Sequence, residues 1–203
     1  MAVISNGTTI ADAGAFSSSL GAMVHIKTLT ASSSSTLSFV HGASSVVLDS
    51  TYPLYVFKFI NIHTSATANF QFNGSVDAGS NYNVAKTTTV HTAGHKEDDT
   101  STYNDYDAGQ DLAQGTGFQN LSYGITTGND ESLSGYLHLF NPSNTPFVKH
   151  FMSTTNYYDS NFSQNGNMAG YFNTTSDIDA IQFKMSTGNI DSGLIKLYGI
   201  KAS

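Results

Sequence analysis

Residues 180–200 read AIQFKMSTGNIDSGLIKLYGI. Ile181, Phe183 and Met185 alternate with Gln182 and Lys184, the period-two pattern of a strand with one buried and one wet face. A run of Ser, Thr, Gly, Asn and Asp follows, and residues 194–200 form a second apolar run. The pattern predicts a closing hairpin. Its turn lies either tightly at Gly188-Asn189 or as a longer loop over residues 186–193. That choice sets which face of residues 194–200 is buried, because a one-residue slip moves every side chain to the other face. A hairpin with so apolar a face needs a second layer to cover it.

The same period recurs along the chain. Val24, Ile26 and Thr28 share a face, and Leu37 and Phe39 share another. Residues 54–62, LYVFKFINI, are apolar on both faces apart from Lys58 and Asn61, which predicts a central strand covered on both sides. Residues 67–73, TANFQFN, place Ala68, Phe70 and Phe72 inward and Asn69, Gln71 and Asn73 outward. LSGYLHLF (133–140) and FVKHFM (147–152) form another candidate pair, joined by NPSNTP, whose two prolines fix φ in a turn. Helical periodicity is weak throughout. About ten short strands separated by polar turns predict an all-β chain, a β-sandwich of jelly-roll type. The closing pair would then lie in the middle of a sheet and seal the core.

Composition bounds the function. The 203 residues fit one large all-β domain, and 39% hydrophobic with 12% aromatic residues suffice for a core. Charged residues are 11%, against about 25% in ordinary soluble domains. Solubility therefore rests on Ser, Thr, Asn and Gly, a balance that suits a protein assembled with others. The net charge is −7, the basic residues are 8 lysines, and arginine is absent. No lysine cluster offers the positive patch that a nucleic-acid backbone or an anionic membrane surface requires. Cysteine is absent, which removes disulfides and thiolate metal sites. The opening MAVISNGTTIADAGAF lacks a basic region followed by a continuous apolar one, and no run has the length of a membrane-spanning helix. The expectation is synthesis in a cytoplasm without export.

Two segments depart from the sandwich pattern. Residues 1–21 are small and polar, with Gly7, Gly14 and Gly21, and read as a short extended arm that needs a neighbour to order it. Residues 22–203 read as a single sandwich domain. Within it, residues 93–118, AGHKEDDTSTYNDYDAGQDLAQGTGF, read as a long acidic loop, functional or held by a partner.

Catalytic signals are weak. His91 and His95 are four apart, but that spacing joins two imidazoles only on a helix. His25, His63, His138 and His150 fall in strand patterns and read as satisfied sheet histidines. Asp98, Asp99, Asp105 and Asp107 could offer oxygens to calcium, but they lack the spacing of an EF-hand loop. No G-x-S-x-G elbow marks a nucleophile, and no carboxylate pair is singled out. The expectation is a non-enzymatic chain with no cofactor. Tyr103, Tyr106, Tyr157, Tyr158 and Phe162 sit in polar, loop-like surroundings. They are candidates for stacking on sugars or anchoring an interface, against the plainer reading that they pack loops onto the sandwich.

Several phrases resemble a family of virion-associated proteins of marine tailed bacteriophages. They are SNGTTIADAG (5–14), VVLDSTYPLYVFKFINIH (46–63), SGYLHLFNPS (134–143), VKHF (148–151) and GYFNTTSDIDAIQFKMSTGNIDSGLIKLYGIK (170–201). The resemblance covers most of the chain and is weakest in the acidic segment and around residues 157–168. It implies a structural part of a phage particle with no catalytic residue to carry over. It implies a homo-oligomer, with a trimer favoured, and other virion proteins as partners. Two positions follow: a capsid decoration or cement protein, or a tail-fibre or tail-tip component that binds a host surface glycan. The small size and the lack of a fibrous shaft favour decoration.

Overall fold

In a computed structural model, residues 2–5, 8–12, 15–16 and 22–202 are described, and they hold β-strands and no α-helix. Strands β1 (Val3–Ser5), β2 (Thr8–Asp12) and β3 (Ala15–Phe16) pair with one another in a small antiparallel sheet. The rest of the expected arm, within residues 1–21, lies outside the described residues.

The body is a sandwich of two antiparallel sheets. Strands β4 (Met23–Ser34), β6 (Leu54–Thr64), β8 (Lys86–Lys96), β9 (Thr102–Tyr106), β11 (Leu133–Phe140), β12 (Lys149–Asp159), β13 (Phe162–Phe172) and β15 (Ile190–Ile200) form the larger sheet, ordered β4-β15-β6-β11-β12-β13-β8-β9. Strands β5 (Leu37–Val40), β7 (Phe70–Ser75), β10 (Gln119–Asn120) and β14 (Ala180–Met185) form the smaller, ordered β10-β7-β14-β5. Numbering β4, β5, β6, β7, β10, β11, β14 and β15 as 1 to 8 gives sheets of order 1-8-3-6 and 2-7-4-5. That is the winding of a jelly roll. Two insertions widen one sheet: β8–β9 after the fourth of these strands and the β12–β13 hairpin after the sixth.

The expected closing hairpin is not one. β14 pairs with β5 and β7 in the smaller sheet, whereas β15 pairs with β4 and β6 in the larger. Residues 186–189 cross between the sheets. Gly188 takes a left-handed φ of 69° there, the Ser186 amide donates to the Asn69 carbonyl at 2.9 Å, and the Asn189 amide donates to Ser65 Oγ at 2.9 Å. The apolar faces of the two strands therefore meet across the core instead of lying side by side. Alternation is the same in either arrangement, which is why the pattern misled. Both strands do occupy sheet interiors.

Phe183 stands at the centre of the core. Its ring lies 5.3 to 6.5 Å from those of Phe39, Phe57, Phe59, Phe70 and Phe72, drawn from both sheets. A second group, Phe72, Phe151 and Phe172, extends the core beneath the added strands, with Phe151 and Phe172 4.9 Å apart. Such edge-on pairs add to the stabilisation from area burial.

Two lysines lie inside this core. Lys149, Phe172 and Lys86 are cross-strand neighbours on the inner face, and both lysines are fully buried. Lys86 Nζ donates to the carbonyls of Val84 (3.0 Å) and Gly117 (2.6 Å). Lys149 Nζ donates to those of Phe147 (2.8 Å) and Thr174 (3.3 Å). Each ammonium thus tethers crossing backbone segments. Burial lowers the Lys86 pKa to about 8 and also lowers that of Lys149.

Three finer expectations change. Asn73 was expected outward in solvent but is fully buried, because its amide donates to the carbonyls of Tyr82, Thr116 and Gly117, which wrap that end of β7. β6 is central, yet among the described residues no second layer covers its outward face; Val56 is buried there between cross-strand Tyr198 and His138. Residues 93–118 are not one loop. They contain the end of β8, a turn and all of β9, and then follow the edge of β8, with the Asp107 amide on the Val90 carbonyl and Lys86 paired with Gly115.

β6 and β15 carry a bulge that bends their ends. Asn61 has φ 49°, Gly193 has φ 118°, and the register shifts between Ile190 and Leu194. A Cβ at Gly193 would stand 2.6 Å from the Asn61 carbonyl oxygen. Gly193→Ala is expected to cost about 2–3 kcal/mol, since strain and contact act together. Urea titration reads this, and an unchanged midpoint would refute the assignment of the bulge as glycine-dependent.

Candidate interaction surface

The outward face of the larger sheet presents side chains at every second position of eight strands. One cross-strand row runs His25, Tyr198, Val56, His138, Met152 and Ala169; the next runs Lys196, Lys58, Tyr136, Thr154, Asn167 and His91. These residues touch one another in the plane of the sheet. Tyr136 stacks on His138 at 4.8 Å, His25 meets Tyr198 edge-on at 5.3 Å, and Lys58 Nζ lies 5.4 Å from the Tyr198 ring centre. Burial among the aromatics lowers the pKa of His138.

Large apolar side chains on or beside this face remain open to solvent. Met152 is 54% exposed, Tyr106 55% and Phe147 67%. A trough of about 490 Å³ separates Met152 from Tyr106, floored by the small Ala169 between taller neighbours on β12 and β9. A second hollow of about 460 Å³ lies under Phe147 at the β11–β12 turn, lined also by Phe140, Pro146 and His150. Asn144 Oδ1 is buried at that turn without a donor. Soluble chains keep contiguous open apolar area small, which makes this face the candidate interaction surface. Tyrosine, methionine and phenylalanine are the residue types that concentrate in interface centres.

A different chemistry lies past the bulge. Asn61, His63, Asp130, Glu131, Asp191 and Ser192 line a polar cleft of about 390 Å³. His63 Nδ1 is 3.5 Å from Asp191 Oδ2, and its Nε2 is 3.2 Å from the Gly128 carbonyl oxygen. That oxygen can only accept, so Nε2 carries the proton. Glu131 is nearly buried and accepts from Thr126 Oγ1, the Gly128 amide and the Ser160 amide. These bonds hold Glu131 as a structural tie of its loop.

The aromatic candidates from the sequence lie in strands, not loops, and they divide. Tyr157 faces the core, fully buried, and its hydroxyl accepts the Tyr123 amide at 3.2 Å. Burial pushes its pKa well up. Tyr103 and Tyr157 share Gln164 Oε1 as acceptor, at 2.6 and 3.2 Å. Tyr103 reaches it across Gly94, whose missing Cβ leaves room for the ring, and its ring lies 6.4 Å from Phe162. Tyr103, Tyr157 and Phe162 therefore converge, but on the inner side of the added strands. Tyr158 is half-buried beside Asn161. Tyr106 and Tyr158 take outward positions, Tyr158 in step with Met152 and Thr154 on β12 and Tyr106 opposite His91, with the Tyr106 hydroxyl donating to Asp111.

The aspartates do not converge. Asp98 and Asp99 sit in the β8–β9 turn, where Asp98 accepts from Lys96 and Thr100 and Asp99 meets His95. The Lys96 ammonium, foremost, holds the Asp98 pKa below its usual value. Asp105 and Asp107 lie at the far end of β9. Among the described residues no group of three or more His, Cys, Asp or Glu could hold a metal ion.

In the sequence, His25 and His138 read as satisfied sheet histidines and residues 54–62 as a strand covered on both sides, so nothing there singles out this face as open. In LSGYLHLF, Tyr136, His138 and Phe140 alternate with the buried Leu137 and Leu139. Aromatic rings on the face opposite the leucines are the available signal. Against known proteins, the chain matches no family model, no curated sequence and no solved structure.

Proposed function

We propose that this chain is a non-enzymatic structural protein on the surface of a tailed bacteriophage particle, a capsid decoration protein that docks through the outward face of its larger sheet. The observation that carries the reading is that face, which sets Tyr136, Tyr198, His138 and Met152 together with no second layer over them among the described residues. The phrases that resemble phage virion proteins support the assignment to a particle. A homo-oligomer, with a trimer favoured, would give the strands within residues 1–21 a neighbour to pack on.

A second reading has its own observation. The polar cleft around Asn61, His63 and Asp191 offers donors and acceptors suited to sugar hydroxyls, as a tail component that binds host glycan would need. Immunogold labelling of intact particles separates the two. Label over the head is expected. Label confined to the tail would replace decoration by receptor binding, and unlabelled particles, with an antibody shown to bind the native fold, would overturn both.

A further inference from the structure

Lys58 and Lys196 are directly opposed on adjacent strands, both half-buried, toward the β4 side of the outward face. Like charges in that position destabilise a sheet. Among the described residues neither lysine has an ion pair. Lys58 has only the Tyr198 ring. No Asp or Glu points outward from the strand rows between Met23 and Thr30 of β4 and their partners across to β9. This holds in a chain of net charge −7 with 15 acidic residues. The carboxylates lie instead in turns, on the inner sides of β9 and β12, and in the cleft past the bulge; Asp99 and Asp111 meet His95 and Tyr106 at the opposite edge of the sheet.

We infer that this lysine pair receives carboxylates of a different protein, so that the face binds an acidic, apolar-ringed protein surface and not a second copy of itself. The inference rests on the docking role proposed above and names the chemistry of the partner. Two copies placed face to face about an axis through this pair would bring four ammonium groups together with no carboxylate from either strand row between them, which opposes an isologous pairing centred there. A partner carboxylate seated between Lys58 and Lys196 removes their repulsion. Tyr136, Tyr198, His138 and Met152 around it supply the water-excluding rim that strengthens such a contact. Aromatic and methionine side chains in this proportion, with only two cations, fit a protein better than a polyanionic chain.

The test uses full-length protein and phage particles assembled without it. Lys58→Gln/Lys196→Gln removes both charges at nearly constant shape, and Lys184→Gln, over the Phe118 ring on the other sheet, is the control. The double variant is expected to bind particles at least tenfold more weakly than wild type, with a flatter salt dependence. It should unfold at no lower urea concentration, because an internal repulsion has gone. The control should bind as wild type. Equal binding by the double variant would overturn the inference and leave the docking role standing. A change of oligomeric state in the double variant, read by sedimentation, would overturn it in favour of a self-interface. Lysine-dependent binding of wild type to polygalacturonate would overturn it in favour of an acidic glycan. Wild type that binds no particle at all would overturn the docking role and, with it, this partner.

Discussion

Phe183→Ala should lower the stability of the sandwich by about 3–5 kcal/mol, the largest effect expected of any single truncation here. Its ring is fully buried and meets five other phenylalanines, three on its own sheet and two on the facing one. Truncation leaves a cavity bounded by rings that are themselves fixed by strand pairing, so the site can collapse only slightly. Phe183→Leu keeps much of the volume and should cost roughly half as much. Urea unfolding reads both. A loss under about 1.5 kcal/mol for alanine would mean that the two sheets close up over the gap, contrary to a core locked by its ladders.

Stability should also rise with pH where most proteins show no such gain. The buried Lys86 ammonium releases its proton near pH 8 in the folded chain, against 10.5 when free. Below pH 8 both states are protonated and folding bears the full cost of burying the charge. Between 8 and 10.5 the unfolded chain holds more protons, so stability increases with pH. The gain from pH 7 to 10 is roughly 2–3 kcal/mol from this group, with Lys149 acting in the same direction. Above pH 10 the curve should turn down. Burial raises the Tyr55 pKa to about 12 and raises that of Tyr157 too, so these phenols ionise first in the unfolded chain. Lys86→Met should abolish most of the rise. A wild-type profile that is flat from pH 7 to 10 would show that the carbonyls of Val84 and Gly117 fully offset the desolvation of the ammonium.

Local pattern determined much about this protein. Period-two alternation in residues 67–72, 133–140 and 180–185 sufficed for an all-β chain, and the predicted core residues Phe70, Phe72, Phe183 and Met185 are buried. The prolines of NPSNTP marked the turn between β11 and β12, which do pair. Alternation records only that one face of a strand meets apolar neighbours, whichever sheet the next strand joins. Tertiary structure decided the rest. It sent β14 and β15 to opposite sheets, drew Asn73 and Lys86 inside by giving them carbonyls from distant segments, and turned Tyr157 inward while leaving Tyr106 out. It also set Lys58 beside Lys196, residues far apart in the chain whose juxtaposition exists only in the register of β6 with β15. Strand registry is a long-range property, fixed by the sum of contacts over two sheets, and no short stretch of residues contains it.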